Sequence, residues 1–265
     1  MKIFISADIE GVAGCTTWDE TERGNELYDY FANQMTLEVK AACEGANEVG
    51  VKEIVVKDAH SSGRNIDHRK LPQNTKLVRS WAGHPFSMVQ ELDDTFDAVL
   101  FIGYHSAAGR DTNPLSHTMD TFIEYIKIND QIASEFLLHS YIAAYLDVPI
   151  AFLSGDAGLC EDVKTLNENI KTVAVKEGKG DSTINLHPDF ACDLIEEGVK
   201  EILSQDLKYN KIELPKKFTL EIKYREHKDA YKRQFYPGVK RVDENTIKFN
   251  SDDYMEVLKA IHYLT

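Results

Sequence analysis

No apolar stretch in this 265-residue chain approaches the ~20 consecutive residues that a membrane-spanning helix needs. Positive charge is also in short supply, with 30 Lys and Arg against 44 Asp and Glu, a formal charge of -14. Nucleic acid and anionic membrane surfaces both demand a basic face, so neither is expected as the main partner. Cysteine is sparse: Cys15, Cys43, Cys160 and Cys192 lie far apart and form no Cys-x-x-Cys pair. Free thiols in a reducing compartment follow. A single Lys precedes the first β-forming residues, with no signal-peptide pattern, and the expected location is cytoplasmic. No phosphate-binding Gly-rich loop of either common type follows a strand. The flanking pattern of a serine nucleophile elbow is missing around Ser154-Gly155. Cys15, near two acids, reads as a small buried residue before it reads as a nucleophile.

What is present is ordinary for a globular protein, 43% hydrophobic and 28% charged, and the chain is long enough for a large core in one or two domains. Residues 3–5 (Ile-Phe-Ile) predict a buried first strand that ends near Asp8 and Glu10, with Gly11 permitting a sharp turn. Helical apolar spacing runs over 28–49, with Gly50 placed to stop it. Further strands are predicted at 53–57, 76–80, 98–103, 122–128, 149–153 and 172–176, and further helices at 132–146, 161–168 and 188–203. Beyond a Lys-rich link the pattern changes: a half-buried strand at 218–224, a helical or irregular piece at 229–234, a strand at 246–249 and a helix capped by Ser251. This alternation predicts an α/β fold, a mostly parallel sheet flanked by helices in three layers, with a smaller C-terminal α+β portion. The expected division is 1–205 for the catalytic α/β domain and 206–265 for the smaller part, although a discontinuous arrangement escapes pattern reading.

Several strands end in residues that bind metals. The first leads to Asp8 and Glu10, the second to His60, and the strand at 98–103 to His105. In a parallel sheet such ends share one edge, where these folds place their sites. Glu135, in the first turn of a following helix, can reach that edge. Each residue also has a plain structural account: solvated acids, an orienting Asp58 beside His60, a buried hydrogen-bonded His105, a dipole-complementing Glu135. Their coincidence favours a metal. Three carboxylates and two imidazoles suit Zn, Mn or Co and exceed what one tetrahedral zinc needs. One bridging carboxylate would allow two metals roughly 3.5–4 Å apart. His117, beyond a small-residue loop, is placed to serve as a proton shuttle. His68, His84, His139, His187, His227 and His262 have no such context and are read as structural or surface residues.

In order along the chain, Ser6-Ala7-Asp8-Ile9-Glu10-Gly11, Asp58-Ala59-His60-Ser61, Gly103-Tyr104-His105, Ser116-His117-Thr118-Met119, Ile128-Asn129-Asp130 and Ser154-Gly155-Asp156 together resemble the zinc D-aminopeptidases of the bacterial dipeptide-transport type. Ala174-Val175-Lys176 and Tyr236-Pro237-Gly238 extend the likeness over essentially the whole chain. The resemblance implies a dinuclear zinc peptidase, two zincs per chain, that removes N-terminal residues from short peptides. It implies that Asp8, Glu10, His60, His105 and Glu135 bind the zincs and that His117 is catalytic. It also implies a large homo-oligomer enclosing a chamber for small peptide substrates. One departure stands out: Asp181 occupies about the place where relatives tend to carry an Arg, which bears on substrate preference. Metal-assisted amide hydrolysis follows, with His117 either stabilising the oxyanion or protonating the leaving amine. The rival readings are another dinuclear metallohydrolase, such as a phosphoesterase or cyclic amidase, and a non-catalytic α/β binding protein.

Overall fold

The computed structural model describes residues 1–265. In chain order its elements are β1 (Lys2–Ala7), α1 (Tyr28–Glu48), β2 (Glu53–Asp58), β3 (Thr75–Val78), β4 (Ala98–Tyr104), β5 (Ile123–Ile128), β6 (Gln131–Ile132), α2 (Glu135–Tyr145) and β7 (Ile150–Asp156). There follow α3 (Ala157–Leu166), β8 (Lys171–Lys179), β9 (Ser182–Asn185), α4 (Pro188–Leu203), β10 (Phe218–Tyr224), α5 (His227–Arg233), β11 (Lys240–Arg241), β12 (Thr246–Ser251) and α6 (Tyr254–Leu264).

Seven strands form one sheet in the order β3-β2-β1-β4-β7-β8-β9, parallel throughout except for the β8–β9 hairpin. Its central strands are buried on both faces, which is why they read as continuous apolar runs. Alternation then decides which core each side chain joins. Ile3 and Ile5 pack with α1 and α4, whereas Phe4 points to the opposite core with Phe101, α2 and α3. Each such fully buried side chain contributes about 1.5–3 kcal/mol of apolar burial. A second, antiparallel sheet, β11-β12-β10-β5-β6, shares the core on the α2 side. Residues 206–265 supply three of its strands, and β5 and β6 come from the middle of the chain.

Differences from the sequence expectation have local causes. The helix expected from residue 132 begins at Glu135, because Gln131–Ile132 turn back onto β5 as β6. Asn129 and Asp130 make that hairpin turn with φ of 51° and 66°, the left-handed geometry that Asn and Asp tolerate best. The last helix is capped by Asp253, whose side chain accepts from Met255 N–H, since Ser251 still belongs to β12. β9 and β11 are short, polar and mostly exposed, so no apolar pattern announces them.

Candidate metal centre

Strand order places β1 between β2 and β4. The segments that leave these three strands at their C-terminal ends carry Asp8 and Glu10, His60, and His105. All four side chains are buried. The approach of these segments depends on missing side chains. A Cβ on Gly11 would lie 1.9 Å from the Tyr104 carbonyl oxygen, and one on Gly155 would lie 2.0 Å from the same atom. The peptide just before His105 is thereby pressed between its neighbours.

The three histidines share one arrangement. His60 Nε2 lies 2.9 Å from the Thr21 carbonyl, His105 Nδ1 lies 3.0 Å from the Ser106 carbonyl, and His117 Nδ1 lies 2.9 Å from the Leu115 carbonyl. A carbonyl only accepts, so each of these nitrogens carries a proton and the other ring nitrogen is directed elsewhere. In every case it faces acids. His60 Nδ1 is 3.1 Å from Glu10 Oε1 and 3.4 Å from Asp8 Oδ1. His105 Nε2 is 3.4 Å from Asp8 Oδ2 and 3.3 Å from Glu135 Oε2. His117 Nε2 is 3.6 Å from Glu135 Oε1. Asp8 thus turns one oxygen toward each of two histidines.

Glu135 is fixed by the start of α2. Ser134 caps the helix by accepting from Leu137 N–H at 3.1 Å, and Met119 N–H donates to Glu135 Oε1 at 2.7 Å. Met119 holds this pose at φ 67°, a conformation that costs a non-glycine residue about 1–3 kcal/mol. His117 is stacked on His105, ring centroids 4.3 Å apart and planes within 6°, with the edge of Trp18 against it. Beneath the cluster, Lys176 Nζ donates to the carbonyls of Glu10 and Cys15, and Asn113 Nδ2 also donates to the Glu10 carbonyl. Asp156 is consumed structurally: it accepts from the Ser106 amide and hydroxyl, Asn113 and the first turn of α3.

The buried acids and imidazoles perturb one another's charge strongly. Burial alone would keep His105 neutral, but Glu135 and Asp8 overcome it and push the imidazole well above its usual range. Glu10 and Asp8 do the same to His60. Burial raises Asp8, yet the neighbouring imidazoles of His105 and His60 prevail and hold its carboxyl below the ordinary range. Glu135, also buried, is drawn down to about 2 chiefly by His105. The donor set fits zinc, which takes imidazole nitrogen and carboxylate oxygen. Glu10 Oε2 and His105 Nε2 are buried and make no hydrogen bond. In His105 the nitrogen sits near two carboxylate oxygens without a bond to either, as when acceptors on several sides face one common point.

A cavity of about 500 Å³ opens onto the cluster. Its walls include residues that apolar periodicity does not reveal: Trp18, Glu22, Trp81, His84, Asp120 and His262. Among them, His84 and His262 were expected to be structural or surface residues, and only tertiary packing brings them here. His139, by contrast, is buried in α2, lies 2.6 Å from the Glu135 carbonyl through Nδ1 and accepts weakly from Met88 N–H, and burial lowers its pKa. Asp181 lies at the β8–β9 turn and is not part of the cavity wall.

An α/β sheet whose strand ends gather carboxylates and imidazoles beside a cavity has the make-up of a metal-binding centre. Comparison with known proteins specifies it further. The family model described as D-aminopeptidase matches residues 1–263. A curated Bacillus subtilis (strain 168) protein named D-aminopeptidase is 31% identical over 267 residues, covering 100% of this chain and 97% of its own length. A solved structure described as the Zn-dependent D-aminopeptidase DppA from Bacillus subtilis, a self-compartmentalizing protease, superposes with a TM-score of 0.94 at 29% identity, covering 100% of this chain and 96% of that one. The chain belongs to the D-aminopeptidase family, a family of zinc metallopeptidases.

Proposed function

We propose that this chain removes the N-terminal residue from short peptides or amino-acid amides, D-residues among them, at a site for two zinc ions. The observation that carries the reading is the common pose of the histidines, each anchored to a backbone carbonyl by one nitrogen and facing carboxylates with the other. Asp8, Glu10 and His60 would hold one ion and Asp8, Glu135 and His105 the other, Asp8 being shared because its two oxygens face different histidines. Two divalent ions offset three carboxylates and leave room for one hydroxide. When bound, zinc polarises a carbonyl and brings the pKa of its water to about 7.

The chain's own residues supply the rest. A free α-amine is a nitrogen donor of the kind that zinc takes, so the N-terminus of a peptide is the natural occupant beside the proposed ions. His117 Nδ1–H is held by the Leu115 carbonyl, so Nε2 is free to take a proton at the attacking water and give it to the leaving amine nitrogen. Stacking on His105 and the edge of Trp18 fixes the plane in which that exchange occurs. The self-compartmentalizing description of the Bacillus subtilis structure supports an assembly of many copies here too, with small peptides as the substrates that enter.

One observation favours a variant of this scheme. His105, His117 and Glu135 lie close enough together to form a three-residue ligand set of their own. Zinc counting decides between the two. The proposed role predicts that His117→Ala retains both ions and loses about 10²–10⁴-fold, mainly in kcat. His60→Ala and His105→Ala should lose metal and activity together. Loss of a zinc from His117→Ala makes His117 a ligand, and retention of both zincs with near-normal kcat makes it structural.

A further inference from the structure

The cavity is lopsided in charge. Beyond Asp8, Glu10, His60 and Glu135 it carries two more carboxylates, Glu22 and Asp120, and no Lys or Arg contributes to its wall. Glu22 and Asp120 are exposed, and neither forms an ion pair with Lys or Arg of this chain. The Asp120 side chain only accepts a long 3.3 Å hydrogen bond from Phe122 N–H, and His84, His117 and His262 are the remaining titratable groups on the wall. The same cavity presents two indoles, Trp18 and Trp81, each a little over one third exposed. Trp81 is rigid: its Nε1–H donates to the Ser61 carbonyl at 2.6 Å, and the Lys57 ammonium lies 3.8 Å from its ring centroid. That ammonium belongs to a fully buried residue, donates to the Asp58 and Ser80 carbonyls and does not line the cavity.

We infer that Glu22 and Asp120, with the indoles of Trp18 and Trp81, select substrates whose N-terminal residue has a positively charged side chain. This rests on the peptidase reading of the cavity. In that reading the α-amine is held at the proposed zinc cluster, so the first side chain leaves it within the cavity. An indole accommodates the aliphatic stem of a lysine-like side chain, and a carboxylate accepts its ammonium. An acidic first residue meets two unpaired carboxylates instead and is rejected by like charge. Two partly screened charge contacts are worth roughly tenfold in rate.

The test compares three amides of similar size, D-Lys-Gly-NH₂, D-norleucine-Gly-NH₂ and D-Glu-Gly-NH₂, on the zinc-loaded protein at low and high salt. The expected order of kcat/KM is lysine over norleucine by roughly tenfold and norleucine over glutamate by a similar factor, both ratios shrinking with salt. In Glu22→Gln combined with Asp120→Asn, the lysine-to-norleucine ratio falls toward one while zinc per chain stays as in the wild type. Equal rates for lysine and norleucine, or a lysine preference that survives the double substitution, overturns the inference. If none of the three is cleaved, the peptidase reading fails separately. Calorimetric binding of D-lysine amide against D-norleucine amide then decides this inference by itself, with equal affinities refuting it.

Discussion

Lys176→Met tests how far the metal cluster depends on what lies under it. Lys176 is 3% exposed, and its ammonium donates to the carbonyls of Glu10 and Cys15, the two ends of the turn that follows β1. Methionine matches the length and apolar stem but donates nothing. Each hydrogen bond from a charged donor is worth about 1.5–3 kcal/mol. Against this stands relief from burying an ammonium, a cost visible in the lowered pKa of Lys176, which burial causes. The Glu10 carbonyl keeps Asn113 as a second donor, so its loss is partial, whereas the Cys15 carbonyl loses the ammonium altogether. The balance is a destabilisation of about 2–4 kcal/mol in the metal-free protein. Because the Glu10 side chain rides on that turn, zinc affinity should fall by ~10–100-fold, the usual effect of removing a partner that orients a ligand. Urea unfolding of metal-free protein and zinc competition against a chromogenic chelator measure the two effects. Wild-type stability together with wild-type zinc affinity would show that the turn holds its shape without the ammonium and would refute this role for Lys176.

Other expectations concern protons, metal and backbone. Burial raises Glu38 to about 7 against hydrogen bonds from Gln34 and Ala13. A carboxyl raised on folding binds protons more tightly in the native state, so stability present below about pH 4.5 declines by up to about 3 kcal/mol as pH climbs to 7. Glu38→Gln should flatten that slope in denaturation at pH 5 and pH 8; an unchanged slope assigns it to other groups. Zinc binding must displace protons from His60 and His105, both raised well above the usual range, so calorimetric heats at pH 7 should depend on the buffer's ionisation enthalpy. Zinc should also raise Tm, since it binds only the folded cluster, and a flat Tm across a saturating titration counts against a preformed site. Gly11→Ala drives a methyl into the Tyr104 carbonyl, so this strand end must move; expect weakened zinc binding even where the protein still folds, with normal binding refuting the packing account.

How much of this was legible in the sequence varies with the kind of signal. α4 and β10 begin and end where apolar spacing places them, because each buries one side against the core and exposes the other. β1, β2 and β4 were readable as apolar runs, and adjacency in the sheet then brought Asp8, His60 and His105 to one edge without further information. Glu135 was readable through the helix start alone. The cavity walls were not, because Trp81 and Glu22 sit in loops where nothing periodic links them to the strand ends. The roles of Lys57 and Lys176 were not legible either. Each is a lysine in a strand whose charge is absorbed by backbone carbonyls, an arrangement only tertiary structure displays.

The Thr21 carbonyl has a wider consequence. It sets the tautomer of His60, yet it belongs to the same short loop that presents Trp18 and Glu22 to the cavity. Substitutions there that retune what enters the cavity also shift an atom that orients a proposed metal ligand. Diversification of this loop therefore carries a built-in penalty, and libraries meant to alter selectivity should leave the backbone at Thr21 undisturbed. Asp120 and Thr121, elsewhere on the cavity wall, offer the freer route, since the neighbouring Met119 is already pinned to Glu135 by its own N–H and the exposed pair beyond it can vary in side chain alone.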